Sequence, residues 1–210
     1  MAKKVIIFDF DGTIADTLLS VVNILNHLAS KYGYKTIKLS DVTALRGKTS
    51  KEILKGLRIS LLKLPFVVRS ARQEFRKEVE LLKPAAGIKK ALLQLKKMGY
   101  KLGIVTSNSE ENVNKFLKTN NMLCFDFVYS GSSVFGKAGV IKNLMESQRL
   151  KPEEAVYVGD ETRDIDAAKK VGVQIIAVSW GFNSRRILEK QKPDFLIDTP
   201  NKLIKIVERL

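Results

Sequence analysis

The chain has little of what enzymes commonly recruit for nucleophilic and metal chemistry: one histidine and one cysteine in 210 residues. A lone Cys124 excludes an internal disulfide and a thiolate metal centre. His27 lies within Leu18-Val22-Leu25-Ala29-Tyr32, whose 4-3-4-3 apolar spacing reads as one face of an amphipathic helix, so it is taken as a bystander. Histidine bases and zinc ligation are thereby set aside. Any chemistry must come from carboxylates, lysine, hydroxyls and bound cations. No run approaches the roughly 18 apolar residues of a membrane span. The opening Met-Ala-Lys-Lys-Val5-Ile6-Ile7-Phe8 has too few apolar residues before Asp9 for a secretory signal. A soluble, cytoplasmic chain is expected. Negative charge is scarce as well, with 22 Asp+Glu against 37 Lys+Arg and a net charge of +15.

What is present fits an ordinary globular protein, with 45% hydrophobic and 28% charged residues. An apolar strand over Val5–Phe10 gives way to helical patterning from Asp16 to Leu82, including Val68-Ala71-Phe75-Val79-Leu82 at spacings of 3 and 4. Pro84 and Gly87 close that block. Strands and helices then alternate: helix from Ile88, strand Leu102–Thr106, helix from Glu110, strand Phe127–Tyr129, helix from Ala138, strand Ala155–Val158. Helix Asp164–Val171, strand Gln174–Val178, strand Phe195–Ile197 and a helix from Asn201 follow. Alternation of this kind predicts an α/β fold, a doubly wound, Rossmann-like parallel sheet covered on both faces. The simplest domain organisation is a core of residues 1–15 and 85–210 with an inserted α-helical cap at 16–84.

Open parallel sheets bind ligands at the carboxyl ends of their strands. There the sequence places Asp9-Phe10-Asp11-Gly12-Thr13, then Thr106-Ser107-Asn108, then Gly159-Asp160-Glu161-Thr162-Arg163-Asp164, with Lys137 opening the helix between the last two. Carboxylates gathered in one crevice repel by about 4 kcal/mol per pair at ~4 Å and an effective dielectric near 20. Lys137 offsets one charge; a divalent ion would offset the rest, and oxygen donors without His or Cys favour Mg2+ over Zn2+. Such sites keep room for phosphate oxygens, which points to phosphoryl chemistry.

Asp9-Phe10-Asp11-Gly12-Thr13 resembles the signature of the haloacid dehalogenase superfamily of phosphohydrolases. Thr106-Ser107, Lys137 and Gly159-Asp160 with Asp164 are similar to its other three motifs, in the same order, and the layout resembles the phosphoglycolate phosphatase-like branch. The resemblance implies that Asp9 is the nucleophile, forming an aspartyl-phosphate, and that Asp11 exchanges protons with the leaving oxygen and the attacking water. It implies that Gly12, Thr106, Ser107 and Asn108 hold the phosphate and that Lys137 neutralises phosphate and Asp9. Mg2+ would sit on the Asp9 and Asp160 carboxylates and the Asp11 carbonyl, with Asp164 orienting Lys137 or a bound water. The expected activity is hydrolysis of a small anionic phosphorylated metabolite, phosphoglycolate-like; a phosphosugar mutase uses a similar motif set.

Bland readings stand beside these. Thr106-Ser107-Asn108 could cap the helix at Glu110, and Asp166 reads as a solvent-facing or capping residue. Trp180 and Cys124 read as packing residues. Gly47-Lys48-Thr49-Ser50 mimics half of a nucleotide-binding P-loop, but Val42 stands where the first glycine belongs and no strand precedes it. Thr49 or Ser50 would cap a helix at Glu52, and Arg46 and Lys48 on the same turn are candidates for substrate selection. Residues 16–84 carry +8 of the total charge, which could attract an anion or merely solubilise helices. The pI near 9.8 allows a basic nucleic-acid-binding protein, yet no zinc-finger spacing or RNA-recognition aromatic motif supports one. Nothing in the sequence sets an oligomeric state.

Overall fold

A computed structural model describes residues 5–131 and 136–210. Met1–Lys4, read above for a leader, and Phe135 before Lys137 lie outside the described residues. The elements run β1 (Val5–Phe8), α1 (Leu18–Tyr32), α2 (Val42–Leu45), α3 (Ser50–Leu57), α4 (Leu64–Glu78), α5 (Ile88–Lys97), β2 (Lys101–Thr106) and α6 (Glu110–Thr119). There follow β3 (Phe127–Ser130), α7 (Gly136–Ser147), β4 (Ala155–Gly159), α8 (Thr162–Lys170), β5 (Gln174–Val178), α9 (Arg185–Lys190), β6 (Phe195–Ile197) and α10 (Lys202–Val207).

The six strands form one sheet in the order β3-β2-β1-β4-β5-β6, each pair parallel. The chain winds outward from β1 in one direction and then, from β4, in the other, so the crevice between β1 and β4 is the switch point where such sheets bind ligands. Alternate residues of β1 feed two cores. Ile6 and Phe8 pack with Leu92, Phe116 and Leu203 on one face, and Val5 and Ile7 with Ile141, Leu144 and Ile165 on the other. A strand buried on both faces has no polar side, which is why Val5–Phe8 is a continuous apolar run.

β1 stops two residues short of the expected Phe10. The carbonyl of Phe10 accepts from the N–H groups of Ile14 and Ala15, and Gly12 N–H donates to Ala15 O at 2.9 Å, so the chain curls at the strand end. That curl begins directly after Asp9, whose N–H still pairs with Val158 O of the sheet, and it carries Asp11.

Helices α1 to α4 enclose a third apolar cluster of their own, built on Val22, Ile37, Val42, Leu57, Ile59 and Val67. The connections into and out of this helical layer run side by side: Asp16 N–H donates to Lys83 O and Ala85 N–H to Ile14 O. Thr49 caps α3 through a capping box with Glu52, which accounts for the polar turn that imitates a P-loop. No helix among the described residues is long and apolar enough to cross a membrane.

Candidate active site

Asp9 follows the last residue of β1 and is 3% exposed. Its N–H donates to Val158 O at 2.8 Å, continuing the sheet, and its Oδ1 accepts from Phe10 N–H at 2.8 Å. Its Oδ2 lies 2.7 Å from Lys137 Nζ, and the same ammonium pairs with Asp164 Oδ1. Lys137 reaches inward from the first turn of α7, 5.5 Å above the Tyr157 ring on β4, so the apolar strand face carries the cation between two acids. Burial opposes the charge on Lys137, but Asp164 and Asp9 outweigh it and hold the ammonium well above its usual range.

Asp160 ends the β4 connection and is fully buried. Oδ1 accepts from the Thr13 hydroxyl at 2.7 Å and Oδ2 from Phe182 N–H at 2.6 Å. Burial, and then the facing charges of Asp9 and Asp164, push its carboxyl well above the usual value. Burial likewise raises Asp9, and it raises Asp164 to about 6 despite Lys137. Oxygens of Asp9, Asp160 and Asp164 all lie within 4.8 Å of one another. Three buried carboxylates facing one lysine form an oxygen-only donor set with excess negative charge, which fits a hard divalent cation.

Two glycines make room for this cluster. Gly12 has φ +80, a conformation that side chains rarely adopt, and a Cβ there would run into the Asp160 carboxylate and the Phe182 ring. A Cβ at Gly159 would fall 2.5 Å from Asp164 Oδ2, so a side chain before Asp160 is incompatible with where Asp164 sits.

Asp11 stands beside Asp9 on the curl. One of its oxygens, Oδ2, is 3.4 Å from Asn108 Nδ2, while Oδ1 is buried with no hydrogen-bond partner among the described residues. Burial outweighs the pull of Thr17 and Asn108 and raises its carboxyl to about 6. Thr106 ends β2, its hydroxyl accepting from Asn108 N–H at 2.9 Å. This ties the Thr106–Asn108 turn into a loop whose Ser107 is exposed. Ser109 takes the capping of α6, accepting from Asn112 N–H.

The structure therefore brings Asp9, Asp11, Gly12, Thr106, Asn108, Lys137, Asp160 and Asp164 to one end of β1, β2 and β4, with Ser107 on the rim. It places Arg46 and Lys48 elsewhere. The Arg46 guanidinium donates to Ser179 O at 2.9 Å, its carbonyl accepts from Ser184 N–H at 2.7 Å, and the Lys48 carbonyl accepts from Asn183 Nδ2 at 2.9 Å. Both are engaged with the loop between β5 and α9; the Lys48 side chain is exposed.

Several participants were not singled out in the sequence. Glu161 is buried, its Oε2 accepting from Ser50 Oγ at 2.6 Å and its Oε1 from Arg163 Nε at 2.7 Å. Burial works against the Glu161 charge, but Arg163 and the Ser50 hydroxyl hold its carboxyl below the usual range. Arg72 of α4 donates to Ser107 O at 2.8 Å, and Asn112 Nδ2 bridges Arg72 O and Asn108 Oδ1, each at 3.0 Å. Trp180, expected to pack, also donates from its indole N–H to Thr13 O at 3.1 Å. The bonds that tie them to the site across the fold, Glu161 to Ser50, Arg72 to Ser107 and Trp180 to Thr13, leave no local signal because their partners are distant in sequence.

A family model described as haloacid dehalogenase-like hydrolase matches residues 6–178. The chain belongs to this family. Among haloacid dehalogenase-like hydrolases, a phosphoglycolate phosphatase of Synechococcus elongatus is 35% identical over 208 residues, covering 99% of this chain and 98% of that protein. The pyrophosphatase PpaX of Bacillus mycoides is 29% identical over 215 residues, covering 100% of this chain and 99% of that one. The fold matches a crystal structure titled as a predicted phosphatase from Clostridium acetobutylicum with a TM-score of 0.87 at 22% identity, each chain covered in full.

Proposed function

We propose that this hydrolase is a Mg2+-dependent phosphatase that cleaves a small phosphorylated metabolite through an aspartyl-phosphate on Asp9. The observation that carries the reading is the Asp9 carboxylate: buried at the β1 terminus, oriented by the Phe10 N–H, paired with Lys137 and facing Asp160 and Asp164.

The Asp9 carboxylate attacks phosphorus, forming the Asp9–phosphorus bond as the ester P–O bond breaks. Asp11, whose carboxyl is raised to about 6, gives its proton to the departing alkoxide. Its carboxylate then takes a proton from water, which attacks phosphorus, releases phosphate and restores Asp9. The Thr106 hydroxyl, the Ser107 N–H and the Asn108 side-chain amide hold the phosphoryl oxygens, while the Asn108 and Gly12 N–H groups, given to the Thr106 hydroxyl and Ala15 O, shape the two loops around them. Lys137 neutralises charge building between the phosphoryl group and Asp9. Magnesium, held by the Asp9 and Asp160 carboxylates and the Asp11 carbonyl, would draw negative charge from the phosphoryl group when bound. Asp164 also pairs with Lys137 and is itself held, accepting from Glu161 N–H at 2.9 Å, which fixes the ammonium in place.

Residues 16–84 act as a cap over this site, hinged where the two connecting strands of chain run together. Arg46 and Lys48 then serve in docking the cap on the core. The names of the relatives make phosphoglycolate and pyrophosphate the first substrates to assay. The reading is tested with Asp9→Asn and p-nitrophenyl phosphate in Mg2+. Phosphate release should fall at least 1,000-fold, the order of loss expected on removing a nucleophile; retained turnover would reject Asp9.

A further inference from the structure

We propose that the group released from phosphorus is uncharged and largely aliphatic, and that it occupies the chamber between the cap and Asp11; the inference rests on the phosphatase reading above. The chamber has a volume of about 350 Å³. That lies within the roughly 300–1,000 Å³ of small-molecule pockets. Asp11 and Ser107 form part of its lining, so it opens directly onto the place where a leaving oxygen would be protonated.

Its walls are hydrocarbon. Val21 and Leu25 come from α1, Ile53 and Leu57 from α3, and Val67 and Val68 from α4. The charged side chains among the described residues that line it are Asp11, Glu161 and Arg163, two acids and one base. The base is committed: Arg163 pairs with Glu161, and Glu161 is held in turn by Ser50. Arg72, in an adjoining lobe of about 160 Å³ that shares Asp11 and Ser107, is committed to the Ser107 carbonyl. The Arg46 guanidinium is turned to Ser179 O.

A second anion on the substrate, such as the carboxylate of phosphoglycolate or the distal phosphate of pyrophosphate, would thus leave water for aliphatic walls whose charged members are two acids and one base already paired with Glu161; Arg72 and Arg46, each hydrogen-bonded to a neutral carbonyl, lie outside that lining. Burying a charge without a partner is strongly unfavourable. Methylenes entering the same space gain about 4-fold each in affinity. The +8 carried by residues 16–84 does not change this, because no lysine of that segment lines the chamber among the described residues.

The test compares kcat/KM for methyl, propyl and pentyl phosphate with that for carboxyalkyl phosphates of matching length, phosphoglycolate included, in Mg2+. We expect a rise of about 4-fold per methylene. We also expect each alkyl phosphate to exceed its carboxylate partner by at least 10-fold, the factor set by ~1.4 kcal/mol. Ile53→Lys, which places a cation in the wall, should narrow or invert that preference. Equal or better turnover of the carboxylate partners, or no dependence on alkyl length, would overturn the inference and leave the phosphatase reading standing. Failure to release phosphate from any ester, p-nitrophenyl phosphate included, would overturn both.

Discussion

The Ser50 hydroxyl at the start of α3 donates to Glu161 Oε2 at 2.6 Å, joining the helical layer to the loop that carries Asp160 across 111 positions of sequence. Glu161 is buried and its second oxygen is held by Arg163, so this bond is among the polar ties that join the α1–α4 layer to the core, beside Arg46 to Ser179 and Arg72 to Ser107.

Ser50→Ala should therefore weaken substrate binding more than chemistry. A hydrogen bond to a charged group contributes about 1.5–3 kcal/mol, so KM should rise at least roughly 10-fold with kcat changed less than about 2-fold. Steady-state kinetics with p-nitrophenyl phosphate check this. A fall in kcat with KM unaltered would mean that the tie acts on Asp160 and not on closure.

Lys137→Met removes the cation that pairs directly with both Asp9 and Asp164. Breaking a buried ion pair by deleting one partner costs about 3–5 kcal/mol, because the remaining charge stays buried. The variant should lose that much stability at neutral pH in urea unfolding, together with its phosphatase activity. Stability within ~1 kcal/mol of the wild type would show that water or another cation screens the acids.

Asp11 gives a pH signature in the absence of divalent ions. Its carboxyl is raised from 3.8 to about 6 by burial, so folding favours the protonated form. The stabilisation is fully present below the unfolded value and is lost as pH rises through about 6. Going from about pH 7.5 to about pH 4.5 should stabilise the wild type over Asp11→Asn by about 1–2 kcal/mol, allowing for partial solvent access. Parallel stability curves for the two proteins would show that Asp11 ionises as freely in the fold as out of it.

Much of the architecture is legible in the sequence. The strand Gln174–Val178 and the start of α6 at Glu110 emerge where the pattern put them, because a parallel strand buried on both faces must be an unbroken apolar run and the intervening helices must be amphipathic. Helix α9 was not expected: its six residues from Arg185 to Lys190 bury only Leu188, too little to print a periodicity. Lys137 was legible by its position between motifs, yet its two carboxylate partners lie 128 and 27 positions away, and nothing local shows that one ammonium serves both.

The sequence by itself determined the alternation of strands and helices, the order of the acidic and hydroxyl motifs, and hence the family, since these depend on local periodicity and residue type. Tertiary structure alone decided which charges meet. It set Arg163 against Glu161 and turned Arg46 to Ser179 and Arg72 to Ser107, leaving an aliphatic chamber in a chain of net charge +15. Net charge is a sum over residues, whereas the field inside a cavity depends on which side chains are already paired, and pairing is a long-range property of the fold.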